Sequence, residues 1–410
     1  MPDAALLIHW AEFALRWLHV VTAIAWIGSS FYFIALDLGL RRAPDMPEGV
    51  KGEEWQVHGG GFYHIRKYMV APPALPQHLT WFKWESYATW LSGFALLSLV
   101  YYGSADLFLI DPERADLPRW GAIALSAGSL AAGWLIYDGL CRSRLGSRDV
   151  GLMLALYVVL VAAAWGYAQV FSGRAAFLHL GALTATIMSA NVFLVIIPNQ
   201  KIVVADLRAG RAPDPEYGRI AKQRSTHNNY LTLPVVFMML SNHYPLAFAA
   251  EWNWAIAALV FLMGVTIRHF FNTMHATGRR PWWTWGATAA LFAAAVWLST
   301  LGPGDERAAA EDAALSSEAR RWAEAEGFAQ AVEVVSARCS MCHAAEPGWE
   351  GIPVAPRGVV LETPEQIARW GRMIELQAGL TRAMPPANVS FMEPEERALI
   401  RAWARAAREG

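Results

Sequence analysis

Residues 151–171, GLMLALYVVLVAAAWGYAQVF, carry no charge and are long enough to cross a bilayer. About 20 predominantly apolar residues span a hydrocarbon core roughly 30 Å thick. Working outward, comparable segments lie at 10–36, 87–102, 120–140, 176–197, 231–250, 254–271 and 285–301. The segment at 87–102 is the shortest and reaches spanning length if it begins near Trp84. The pattern predicts an all-α polytopic bundle of about eight transmembrane helices. Composition agrees: 55% of residues are hydrophobic and 17% charged, against about 25% charged in soluble domains. Trp84, Trp120, Trp252, Trp254, Trp282, Trp283 and Trp285 fall at the expected helix ends, where indoles favour the interface. A net charge of -1 gives no hint of a nucleic-acid partner. The start, MPDAALLIHWAEF, lacks a basic leader and a small-residue cleavage site, so the first segment reads as a retained helix.

Orientation follows from the loops. Loops one, three, five and seven hold 17 basic residues, including Arg41, Lys51, Arg142, Arg148, Lys201, Arg224 and Arg280. The opposite set holds 3: Arg114, Arg119 and Arg174. Lys/Arg excess marks the cytoplasmic side, so both termini are expected outside, in the periplasm if the membrane is a bacterial inner membrane. A membrane domain is therefore expected over 1–301, a Gly-Pro-Gly-led linker over 302–325, and a small soluble domain over 326–410.

That last domain contains Cys339-Ser340-Met341-Cys342-His343. Two thiols one helical turn apart add to the vinyl groups of a haem, and the adjacent histidine reaches the iron. Half a zinc site is the alternative, but no further Cys or His follows His343. Met373, Met384 and Met392 are available as the other axial ligand. Met384 is favoured, because Pro385 and Pro386 fix an extended backbone beside it. A class I cytochrome c domain carrying covalent haem c is expected. Cys141, beside Arg142, reads as an ordinary small buried or interfacial residue.

Ionisable groups at membrane depth are expensive and suggest function. His19, His179 and His243 fall toward the outer half, and His227, His269 and His275 toward the inner end. Imidazoles from facing helices could hold one or two haem b groups; copper or zinc is the rival, and hydrogen bonding between helices the simplest alternative. Loop one is long and contains His58-Gly59-Gly60-Gly61-Phe62-Tyr63-His64, then Arg66, Lys67, Lys83 and Glu85. Glycines permit close backbone approach. With Phe62, Tyr63, Arg66 and Lys83, Gly60 would suit a planar, anionic heteroaromatic; a solvated loop is the plain alternative.

Trp17-Leu18-His19-Val20, Ala25-Trp26-Ile27-Gly28, residues 57–67 and 78–93, and the run from His227-Asn228-Asn229-Tyr230 to Ser241-Asn242-His243-Tyr244-Pro245 resemble the membrane-bound bacterial urate hydroxylases. These are integral-membrane urate oxidases fused to a C-terminal cytochrome c. The resemblance implies oxidation of urate to 5-hydroxyisourate, without hydrogen peroxide. Electrons would pass by haem to soluble cytochrome c or a respiratory oxidase. His58, His64 or Glu85 would then be the base. A respiratory quinol:cytochrome c-type oxidoreductase is the main rival, followed by a haem-bearing sensor or transporter.

Overall fold

Inside a bilayer no water satisfies backbone N–H and C=O groups, so an apolar chain of this kind satisfies them within helices. The computed structural model describes residues 4–47, 49–68, 75–112, 114–301, 317–350, 352 and 355–409. Helix α1 (Ala4–Gly39) leads into a hairpin of β1 (Val50–His58) and β2 (Gly61–Tyr68). Then come α2 (Trp84–Leu97), continued by a π-helical turn at Ser98–Tyr102, the short α3 (Ala105–Phe108), α4 (Arg119–Arg142) and α5 (Asp149–Val170). Next, α6 (Gly173–Ala190) runs through a π-helical turn, Asn191–Ile196, into α7 (Ile197–Arg208). They are followed by α8 (Pro215–Leu240), α9 (Pro245–Phe248), α10 (Asn253–Thr277) and α11 (Trp283–Thr300). The C-terminal unit contains α12 (Ser317–Glu324), α13 (Phe328–Arg338), α14 (Pro364–Arg369), α15 (Gly371–Ile374) and α16 (Pro394–Glu409).

Among the described residues, 5 helical segments are long and apolar enough to cross a membrane: Leu6–Gly39, Arg119–Arg142, Asp149–Val170, Gly173–Arg208 and Asn253–Thr277. The sequence pattern suggested about eight. The other three segments are helical but short or polar. α2 has 14 residues before its π turn. α11 opens with Trp-Thr-Trp-Gly. The first half of α8 is polar, and the helix stops at Leu240 instead of continuing to 250. Its stop has a local cause: Pro245 lacks an N–H and disfavours the helical region for the residue before it, and Tyr244 is non-helical (φ -127°). The long helices expose apolar side chains outward, Trp17 at 67% and Ile24 at 66% on α1. So extensive an apolar exterior indicates membrane association.

The loops sort by end. Lys67 and Lys222 both pair with Asp37, Gln223 bonds Gly146 O, and Arg208 bonds Gln77 O, which gathers the basic loops at one end. At the other end Ser172 N bonds Leu109 O, and the C-terminal unit docks there. Arg372 donates to Ser104 Oγ (2.8 Å), Arg174 donates to Arg357 O (2.6 Å), and Trp370 meets Phe108 edge-on. The chain has two apolar cores, one within the helix bundle and one in the C-terminal unit. Residues 302–316 of the expected linker lie outside the described residues; 317–324 form α12, whose Trp322 is buried in the C-terminal core.

Small residues let the helices close. A Cβ on Gly133 would fall 2.0 Å from Leu183 Cδ1, joining α4 to α6. One on Gly264 would fall 2.4 Å from Pro234 Cδ, joining α10 to α8. Side chains this small are what let membrane helices approach by packing alone.

Candidate functional site

The loop-one residues form a hairpin instead of a pocket. Gly59 (φ +60°) and Gly60 (φ +81°) are its two turn residues, and a tight two-residue hairpin requires positive φ at both. Turn geometry therefore accounts for Gly59 and Gly60. Trp55, opposite His64, stacks on it at 4.2 Å, and Val57 lies opposite Phe62. Glu53 accepts from His64 Nε2 (2.8 Å) and Arg66 Nε (3.0 Å) on this face. Those bonds, His64's first, hold the Glu53 carboxyl below its ordinary range. Tyr63 faces the other side, opposite Gln56, and Phe62 is 76% exposed. His58 ends β1 and Glu85 opens α2, while Lys83 lies over the Trp84 ring at 5.4 Å. The expected substrate set is thus split between two faces, and His64 and Arg66 are already engaged by Glu53. An open cleft of about 520 Å³ nearby is lined instead by Trp81, Lys201, Val204, Ala205, Arg208 and Ala209.

The outer histidines sit on three different elements. His179 is fully buried: Nδ1 donates to Ala175 O (2.7 Å), and Nε2 bonds Ser126 Oγ (2.7 Å). Tyr101, Tyr167 and Phe171 enclose its ring. With Nδ1–H held by Ala175 O, Nε2 keeps its lone pair, which here faces the Ser126 hydroxyl. His19 Nδ1 donates to Thr89 O (2.9 Å), and its ring lies against Gly93. His243 is exposed in a 3-10 turn after α8. Among the described residues no group of three His, Cys, Asp or Glu side chains is placed to hold a metal ion.

Helix α8 instead carries two buried polar faces. On one, His227 Nδ1 bonds Tyr137 Oη (2.7 Å), and Asn191 Nδ2 donates to Tyr137 Oη and to Asn228 Oδ1 (2.9 Å). Arg224 pairs with Asp138 (2.7 Å) and reaches Asn191 Oδ1. The π turn starting at Asn191 aims that side chain across to α8; π turns recur at such sites. Cys141 is partly buried on α4, one turn from Tyr137.

On the opposite face, Arg268 of α10 donates from Nε to Asn229 Oδ1 (3.3 Å) and from NH2 to Asn272 Oδ1 (3.1 Å). Its guanidinium lies over the Phe31 ring at 4.1 Å. Asn272 Nδ2 also donates to Asn229 Oδ1 (2.9 Å), whereas Asn229 Nδ2 has no partner among the described residues. Beside this group, Tyr230 Oη and His269 Nδ1 stand 3.5 Å apart. The sequence reading singled out His227 and His269 but passed over Arg268, Asn229 and Asn272. An arginine inside the apolar run of α10 was the available signal.

In the C-terminal unit, Cys339 caps α13 and Cys342 N and His343 N both bond Cys339 O (3.1 and 2.9 Å), so the motif makes one tight turn. Both thiols are free, and burial pushes the Cys339 thiol up to about 11. His343 Nδ1 donates to Val359 O (2.9 Å), which leaves Nε2 with its lone pair. Met392 is buried in the core; Met384 packs at its edge, its carbonyl held by Arg397 (2.8 Å). This donor set fits a covalently attached haem. Searches of curated proteins and of solved structures find no match to the chain. The family comparison does: the urate oxidase N-terminal domain matches residues 5–299, which takes in the hairpin, both polar faces of α8 and every segment long enough to span. The chain therefore belongs to the urate oxidase N-terminal family.

Proposed function

We propose that this chain is a membrane urate hydroxylase of about eight spans that sends its electrons to a C-terminal cytochrome c. Membership of the urate oxidase N-terminal family carries the substrate and the oxidoreductase class. The reaction balances as urate plus water giving 5-hydroxyisourate, two protons and two electrons. Haem c, when bound, takes electrons one at a time. Cys339 and Cys342 would hold it, with His343 and Met384 as axial ligands. Soluble cytochrome c or a respiratory oxidase would be the final acceptor.

The chain's own residues attract the anion and manage protons. The basic loops raise the local concentration of an anionic purine at one end of the bundle. With His64 engaged by Glu53, the His269–Tyr230 pair is better placed than the hairpin to take a proton from a substrate between α8 and α10. Haem b among the membrane helices would carry the electrons from there toward the C-terminal unit, which docks at the opposite end.

Anaerobic membranes containing the full chain test the reading. Urate should reduce the c-type haem, read at its α-band, with no peroxide formed. Reduction by quinol but not urate would favour the quinol oxidoreductase instead. Cys339→Ala with Cys342→Ala should abolish the c-type pyridine-haemochrome signal; persistence of that signal would refute the attachment site.

A further inference from the structure

The bundle contains two buried arginines in different electrostatic situations. Arg224 is neutralised by Asp138 at 2.7 Å. Arg268, 7% exposed, has only neutral described partners: two amide oxygens and the Phe31 ring. A buried cation without a counter-charge is costly, and proteins pair it or use it. Asn229, 0% exposed, is a second and independent sign. Its Oδ1 accepts twice while its Nδ2 finds no acceptor among the described residues. Arg268 NH1 likewise makes no bond among the described residues. The unused capacity here is therefore all donor, in one place, beside a positive charge. Water would satisfy the donors but leave the charge.

We infer that Arg268, Asn229 and Asn272, with Phe31 under the guanidinium, seat the anionic edge of a planar purine between α1, α8 and α10. The assignment of urate rests on the function proposed above. Urate is a monoanion at neutral pH and presents adjacent ring-nitrogen and carbonyl acceptors. A guanidinium fork and a neighbouring amide N–H match such an edge, with charge-assisted bonds as the strong ones. The seat accepts an anion and rejects a neutral purine of equal size, because an occupant without charge leaves the donors and the cation uncompensated.

The test uses the full chain in lipid nanodiscs, with labelled urate and neutral hypoxanthine as probes. Wild type should bind urate in preference to hypoxanthine. Asn229→Asp, which is isosteric and supplies the missing carboxylate, should leave thermal stability unchanged or higher while weakening urate binding about tenfold or more. Arg268→Lys, which keeps the charge but loses the planar fork, should weaken it by at least about tenfold. Arg208→Gln, in the open cleft, removes one of the attracting charges and should weaken binding far less than either of these variants. Wild-type affinity in Asn229→Asp and Arg268→Lys, or a loss confined to Arg208→Gln, overturns the seat and leaves urate as the substrate. Failure of wild type to bind or oxidise urate overturns the functional reading itself.

Discussion

Gly264→Ala probes the α8–α10 crossing on which the buried donors depend. The new methyl would lie 2.4 Å from Pro234 Cδ, 2.6 Å from Cγ and 3.2 Å from the ring nitrogen. Carbon atoms pack best at about 3.5–4.0 Å, so the helices must part by about 1 Å at that point. The pyrrolidine ring is bonded to its own backbone and cannot swing aside. Overpacking of this kind costs about 1–3 kcal/mol. One turn further along α10, Arg268 Nε reaches Asn229 Oδ1 at 3.3 Å, and a shift of that size breaks the bond. Gly264→Ala should therefore lower the thermal midpoint and weaken urate binding together. Pro234→Ala in the same chain removes the obstructing ring. A double-mutant cycle should then return a favourable coupling of about 0.5–3 kcal/mol. Intrinsic tryptophan fluorescence on heating and labelled-urate binding supply the two readouts. If the two penalties simply add, or if Gly264→Ala alters neither readout, the crossing is not the constraint described.

Tyr137→Phe should strand His227 Nδ1 and one of the two N–H groups of Asn191 Nδ2, the other keeping Asn228 Oδ1, and cost about 1–3 kcal/mol per stranded group; unchanged thermal unfolding would show that other partners replace the phenol. Trp403→Ala removes a fully buried ring packed on Trp322 and Phe328, together with its bond to Trp322 O. It should destabilise the C-terminal unit by about 3–5 kcal/mol in urea unfolding, and a value below 1 kcal/mol, about the cost of a single methylene, would contradict this core. For the hairpin, the sign is set by the lowered Glu53 carboxyl. Its stabilising effect is complete above the ordinary 4.5 and fades as pH falls through the folded-state value. Hydrogen exchange in β1 and β2 should therefore be slow near neutrality and faster in acid; equal protection at both would count against the His64–Glu53–Arg66 pairing.

Apolar run length was legible from the sequence, and α1, α4, α5 and α10 lie where it pointed. The 231–250 segment was read as apolar throughout, because hydropathy does not register that Pro245 restricts Tyr244. Whether residues 58–64 form a binding loop or a solvated one is not legible from glycines, which serve tight turns and ligand approach alike; the φ values of Gly59 and Gly60 show the turn. His179 and Arg268 show the opposite difficulty. A histidine in lipid can be a ligand or a bond between helices, and its partners, Ser126 and Ala175 for His179, are not written in the sequence. An arginine near a basic loop looks interfacial until its helix is seen to continue to Thr277. The C-x-x-C-H motif was readable because its chemistry is local, whereas the donors around Asn229 come from helices far apart in the chain.

The polar half of α8 has a consequence for how this protein is made. Arg224, His227, Asn228 and Asn229 find their partners on α4, α10, the end of α6 and its π turn, not within α8. Presented alone to an insertion channel, such a segment would partition poorly into lipid. Arg224, His227 and Asn228 become tolerable there once α4 and the α6–α7 run, which precede α8 in translation, supply Asp138, Tyr137 and Asn191, whereas Asn229 waits for Arg268 and Asn272 of α10. Biogenesis of this bundle is thereby ordered: the apolar helices enter on their own merits, and α8 is admitted as their guest.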